Sequence, residues 1–112
     1  MTSMIETYFT DNQPTKPEVF DINRDVINAL GDPDCRKILE ATYEKAKRAS
    51  QILKEKKLPQ TSLYRKLAQL EKLGLLKSKQ YELKEGQQYW TYKCAIKKLS
   101  VGFEGQFNVV MN

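Results

Sequence analysis

The sequence predicts an α+β fold, and three observations predict it. Apolar residues recur at helical spacing from Val19 to Leu73. Beyond Gly74 the apolar period shortens to two, the spacing of strands. The alternating part is broken twice at glycine, by "KEGQ" at 84–87 and by Gly105, as two hairpins require.

Each element follows in order. Residues 1–18, "MTSMIETYFTDNQPTKPE", have two prolines and no sustained periodicity, and are expected to form a flexible N-terminal arm. "VFDINRDVINAL", from 19 to 30, places Val19, Ile22, Val26, Ile27 and Leu30 at helical spacing, and Gly31 ends it. "DPDCRKILEATYEKA" then predicts a second helix. Asp32 suits the N-cap, Pro33 the first helical position, and Asp34 the positive end of the helix dipole. Its inner face is Cys35, Ile38, Leu39 and Thr42, so Cys35 reads as a small core residue.

"KRASQILKEKK" predicts a short third helix of about two turns. Leu58 precedes proline, which disfavours helical backbone, and Pro59 can open the next helix. That helix, "QTSLYRKLAQLEKL", buries a stripe of Leu63, Leu67, Leu70 and Leu73, and Gly74 stops it. Tyr81 and Leu83, then Trp90, Tyr92, Cys94 and Ile96, alternate on either side of "KEGQ" as one hairpin. Leu99, Val101 and Phe103 share one face, and Phe107, Val109 and Met111 share another, around Gly105 as a second hairpin.

Charge is unevenly distributed. The net +5 divides into −5 over residues 1–35, +11 over residues 36–98 and −1 over the remainder. A basic field concentrated in mid-chain attracts polyanions. The bland alternative is a lysine-rich solvated surface. The absence of histidine removes the commonest general base. No glycine-rich phosphate loop or nucleophile elbow is present. An enzyme is not expected. The two cysteines, Cys35 and Cys94, have no metal-ligand spacing, and neither a metal nor another cofactor is expected. No apolar run of about 18 residues and no secretory pattern occurs, so a cytoplasmic protein without membrane association is expected.

A short helix, a tight turn, and a second helix with leucines inside and hydrogen-bonding side chains outside is the helix-turn-helix arrangement, whose second helix enters the major groove. Double-stranded DNA is therefore the expected partner. Gln60, Thr61, Ser62, Tyr64 and Arg65 are the candidate base-reading residues, since Gln pairs with adenine and Arg with guanine. Lys66 and Gln69 are candidates for base or backbone contact. Lys54, Lys56 and Lys57 are expected at the backbone. Lys77, Lys79 and Lys84 are expected at phosphates or the minor groove.

The residues also carry a family resemblance. "LGDPDCRKILEAT" at 30–42 resembles the helix pair that opens winged helix-turn-helix regulators of the ArsR-like class. "ASQILKEKKLPQTSLYRKLAQLEKLGLLK" at 49–77 resembles their helix-turn-helix. Ser62-Leu63-Tyr64-Arg65, followed by Leu67, Leu70 and Gly74-Leu75, is particularly close to archaeal members. The resemblance spans about residues 19–96. It implies a winged helix-turn-helix with N-terminal helices, a β-hairpin wing and a C-terminal β-hairpin, acting as a sequence-specific transcriptional regulator.

Three features depart from that pattern. The Cys-x-Cys motif of metal-sensing members is absent. Lys57 stands where many relatives have a turn glycine. The chain closes with strands in place of a dimerisation helix. The expected division is arm 1–18, DNA-binding domain 19–98 and strand extension 99–112.

A homodimer is expected because the apolar residues outside the helix-turn-helix exceed what a small core can cover. These are Val19, Phe20, Ile22, Val26, Ile27 and Leu30, with Leu99, Val101, Phe103, Phe107, Val109 and Met111. Two other readings stand beside the regulator. One is a winged-helix protein-interaction scaffold, which needs no basic reading face. The other is nonspecific nucleic-acid coating, with Tyr81, Tyr89, Trp90 and Tyr92 as stacking candidates.

Overall fold

The computed structural model describes residues 22–112. The expected arm and the candidates Val19 and Phe20 lie outside the described residues. Among the described residues the architecture is α+β: four helices followed by two separate antiparallel hairpins. In chain order these are α1 (Ile22–Leu30), α2 (Pro33–Ala41), α3 (Ala49–Lys56), α4 (Gln60–Lys72), β1 (Leu76–Glu82), β2 (Gln88–Cys94), β3 (Leu99–Phe103) and β4 (Phe107–Met111). Among the described residues no helix is long and apolar enough to cross a membrane.

Local chemistry sets the helix ends. Asp32 caps α2 through its carboxylate, which accepts the Asp34 N–H at 2.9 Å, with Pro33 in the first turn. Arg36 donates to the Leu30 carbonyl at 2.6 Å, satisfying an orphan acceptor at the end of α1. At the end of α4 the Gly74 N–H reaches the Glu71 carbonyl and the Leu75 N–H reaches the Leu70 carbonyl, with Gly74 at φ +81°. This is a Schellman turn, which glycine adopts without steric cost.

α2 is shorter than the sequence predicts. The periodicity carries it through the "YEK" of 43–45, but it ends at Ala41. The Thr42 hydroxyl donates back to the Ile38 carbonyl at 2.9 Å, and the Thr42 carbonyl accepts the Cys94 N–H of β2 at 3.0 Å. A tertiary hydrogen bond thus replaces the next helical one. The chain then runs extended, and Lys47 exchanges both backbone hydrogen bonds with Tyr92, at 2.9 and 2.8 Å. This bridge adds a short third rung beside β2.

The core lies where α4 meets everything else. Leu63, Leu67 and Leu70 are fully buried, with Cys35 and Ile38 from α2, Ile52 from α3, Val26 and Ala29 from α1, and Leu75, Leu76 and Tyr92 around the first hairpin. Both cysteines are buried and free. Burial pushes the Cys35 thiol up to about 11, so it stays protonated at neutral pH, as a core residue rather than a reactive one.

The first hairpin pairs Leu76 with Cys94 through to Glu82 with Gln88. Its loop closes with Gly86 N–H on the Leu83 carbonyl and Leu83 N–H on the Gln87 carbonyl, Gly86 being left-handed. A type I turn followed by a left-handed glycine is a common three-residue hairpin loop. The second hairpin pairs Leu99 with Met111, Val101 with Val109 and Phe103 with Phe107. Directly opposed residues point to the same side of a ribbon. The two apolar faces expected from the sequence are therefore one face. Its base packs on the core through Leu99, Val109 and Met111, and Asn23 of α1 accepts the Val109 N–H at 3.3 Å. Its far end does not, with Phe103 at 62% and Phe107 at 59% exposure.

One expected interface residue is corrected. Val26 is fully buried inside its own core and has no surface to give a partner.

Candidate nucleic-acid interface

Helical geometry decides what α4 shows. With Leu63, Leu67 and Leu70 turned inward, Thr61, Arg65 and Ala68 fall on the opposite side. Gln60, Thr61, Tyr64 and Arg65 are exposed, Tyr64 at 60%, while Ser62 is half-buried at one edge. No side chain caps the N-terminus of α4, so its first amides keep donor capacity for solvent or an anion.

Two of the residues named from this helix are turned elsewhere. Gln69 is half-buried and lines a crevice with Asp25 and Asn28 of α1. Lys66 is not presented outward. Its ammonium lies 2.9 Å from Asp32 and 3.0 Å from Asp34, with its side chain only 12% exposed. Lys66 sits one position before the buried Leu67, on the flank facing α2, and there it meets two carboxylates at the start of that helix. The expectation of a base or backbone contact at Lys66 is corrected on that ground.

Just before α4, Lys57 adopts left-handed backbone, φ 55° and ψ 50°. It is the one non-glycine residue with positive φ among the described residues. Its own N–H and that of Leu58 both reach the Leu53 carbonyl, closing α3 in the turn where glycine is the easy choice. Lys54 and Lys57 are exposed. Lys56 is half-buried, 3.5 Å from Glu40.

On the first hairpin the register sets Lys77 opposite Lys93 and Lys79 opposite Thr91, giving one face with three lysines. Lys84 lies exposed in the loop at the tip. On the same face Tyr81 stacks on Tyr89 at 5.3 Å, the Arg48 guanidinium lies 3.7 Å from the Tyr89 ring centre, and the Lys79 ammonium 5.1 Å from that of Tyr81. These tyrosines are engaged by each other and by cations. On the other face Tyr92 is buried but Trp90, two residues nearer the tip, is exposed.

Arg48 and Lys93 are additions to the residues named from the sequence. Pairing the two strands across the three-residue loop would have found Lys93, which shares the parity of Thr91 and Tyr89. Arg48 had no such signal, because only the Lys47–Tyr92 bridge brings it to the sheet.

The carboxylates near these cations are mostly occupied. Glu55 holds Lys47 at 2.6 Å, Glu71 accepts from the Ser78 hydroxyl at 2.5 Å, and Asp32 and Asp34 hold Lys66. Arg65, Lys54, Lys57, Lys77 and Lys84 form no ion pair with another described residue. The hydrogen bond that Lys66 donates to Asp32 holds the Asp32 carboxyl below its ordinary range and the Lys66 ammonium above its own. Among the described residues no cluster of three or more Cys, Asp or Glu is placed to hold a metal ion.

No family model matches the chain, and no curated protein matches it.

Two predictions follow from the turn and the ion pair. Lys57→Gly relieves left-handed strain and should raise unfolding stability by about 1 kcal/mol, measured by urea denaturation. A carboxyl whose value is lowered by folding contributes stability above its ordinary value of 3.8, and that contribution is lost as pH falls through the lowered value. The stability gap between wild type and Asp32→Asn should therefore be full at neutral pH and close below about pH 4, in denaturation curves taken down the acid range.

Proposed function

We propose that this chain is a sequence-specific double-stranded DNA-binding protein, a transcriptional regulator built as a winged helix-turn-helix. In this reading α3, the Lys57–Pro59 turn and α4 are the helix-turn-helix, and the β1–β2 hairpin is the wing. The observation that carries it is the exposed face of α4. Thr61 and Arg65 lie opposite the leucine stripe with Tyr64 exposed on the flank, and Arg65 has no carboxylate partner among the described residues.

The chemistry fits a duplex groove. Arg65 offers the planar fork that matches guanine O6 and N7, and Gln60 and Thr61 at the start of the helix suit base edges or phosphates. Lys54 and Lys57 on one side, with Lys77, Lys79 and Lys84 on the hairpin, supply the counter-charge for the two backbones. The tyrosine pair on the wing, already stacked with Arg48 and Lys79, is poorly suited as an open platform for single-stranded bases. That favours the duplex over nonspecific coating.

The test is selection of bound duplexes from a random pool, followed by affinity measurements on the selected and a random sequence. Arg65→Ala should weaken the selected duplex by about 1–3 kcal/mol more than the random one. Equal losses on both would make Arg65 a phosphate contact, and selection of no sequence would remove the specific-binding reading.

The same reading makes the protein a homodimer whose contact is the free end of the β3–β4 ribbon. Val101, Phe103 and Phe107 stand on one face there beyond the reach of the core, and Phe103 and Phe107 lie 4.6 Å apart. Sedimentation equilibrium should show a dimer in the micromolar range, and Phe103→Asp should dissociate it by stranding a charge in an apolar contact. A wild-type chain that stays monomeric both free and on DNA would overturn this.

A further inference from the structure

We propose that Lys66, Asp32 and Asp34 form a positioning clasp that sets the roll of α4 about its own axis. Sequence discrimination then depends on two acidic residues at the start of α2, off the reading face. This rests on the DNA-binding reading.

What the leucine stripe leaves unfixed is the fine roll of α4. Leucine contacts are non-directional: burying them decides which face of α4 turns inward, and close packing limits but does not aim the outward side chains. An atom about 6 Å from the helix axis moves about 2 Å for a roll of about 20°. A hydrogen bond to a base edge tolerates only a few tenths of an ångström. The reading face therefore needs a directional constraint that the stripe does not supply.

The clasp has the form of such a constraint. One ammonium is shared between Asp32, at 2.9 Å, and Asp34, at 3.0 Å. Asp32 is held in turn: its Oδ1 caps α2 by accepting the Asp34 N–H, and the Cys35 thiol donates at 3.7 Å to Oδ2, the oxygen that also meets Lys66. The anchor is thus the rigid first turn of α2, and the Lys66 side chain is mostly covered. Partly buried ion pairs add little net stability, and in some proteins a buried polar contact selects one geometry over its neighbours, the role proposed for this one. Lys66 is also badly placed to neutralise DNA. Two carboxylates already surround it, and reaching a phosphate would mean leaving both.

The test separates positioning from phosphate contact by the sign of one effect. The chains compared are wild type, Asp34→Asn, Lys66→Met, the double variant and Lys66→Arg. Each is measured on the selected duplex and on a random duplex over a salt series, well below its melting temperature.

Asp34→Asn removes a negative charge near a polyanion, so on electrostatics alone it should tighten binding to both duplexes. The clasp requires the opposite. The selected duplex should weaken about tenfold, the scale of one misaligned bidentate base contact, while the random duplex holds. Lys66→Met should do the same with its salt slope unchanged, the double variant should be no worse than either single change, and Lys66→Arg should retain most of the discrimination.

The proposal is overturned if Asp34→Asn tightens both duplexes, or if Lys66→Met lowers the salt slope by about 0.9, the signature of one lost phosphate contact. It is also overturned if every variant discriminates as wild type does. If Lys66→Met does not fold, Asp34→Asn carries the decision alone. A wild type that selects no sequence removes the DNA reading and this proposal together, whereas a wild type that selects while Asp34→Asn binds more tightly removes the clasp only.

Discussion

Burial of the leucine stripe on α4 is the constraint on which the other features depend. Leu63, Leu67 and Leu70 occupy one arc of the helix and are fully covered by α1, α2, α3 and the base of the first hairpin. An α-helix has only one such arc to give. Once it is committed to the core, the positions about 180° away have no choice but solvent, and Thr61 and Arg65 are at those positions. The flanks are then decided by neighbours. On one side α2 brings Asp32 and Asp34 to Lys66, and on another the first hairpin brings Ser78 to Glu71. A polar residue on α4 is thus a potential ligand contact or an internal strut according to its angle from the leucines.

That distinction was only partly legible in the sequence. Periodicity located the helices, the change of period after Gly74 located the hairpins, and the capping chemistry of Asp32, Pro33 and Gly74 located several boundaries. These signals are local, carried by residues within one or two turns of the feature they specify. What failed was non-local. α2 ends at Ala41 because β2, some fifty residues later, takes the Thr42 carbonyl. Lys66 reads as outward-facing in the sequence because its partners lie 32 and 34 residues earlier, and nothing in the spacing of α4 announces them. Along the chain, parity alone places the apolar residues of the two strands of the second hairpin in separate sets. Register across the loop, which places Val101 opposite Val109, unites them. Val26 reads identically as core or interface from sequence, since both demand an apolar side chain. For the candidate site, the residue types on α4 were readable, but the division between those facing out and those tied down required the fold.

Lys57 illustrates a different kind of information. A lysine in left-handed backbone costs about 1–2 kcal/mol relative to an unstrained residue. Local preference at that position favours glycine, and the turn forms anyway, held by α3 on one side and Pro59 on the other. A strained residue that keeps a long cationic side chain in the tight turn between two helices is a local compromise in stability.

The Schellman turn at Gly74 has a mechanical consequence. Only Leu73, Gly74 and Leu75 separate α4 from β1, and each is tied: Leu73 and Gly74 back to the helix, Leu75 to both the Leu70 carbonyl and the Ala95 N–H. The joint has no slack. A seven-residue strand is about 23 Å long, so β1 is a stiff lever fixed to the end of the helix. A rotation of only 5° at that joint would sweep the loop around Lys84 through about 2 Å. Helix and hairpin must therefore move as one rigid piece, and any force that tilts α4 is transmitted, amplified by length, to the far tip of the ribbon.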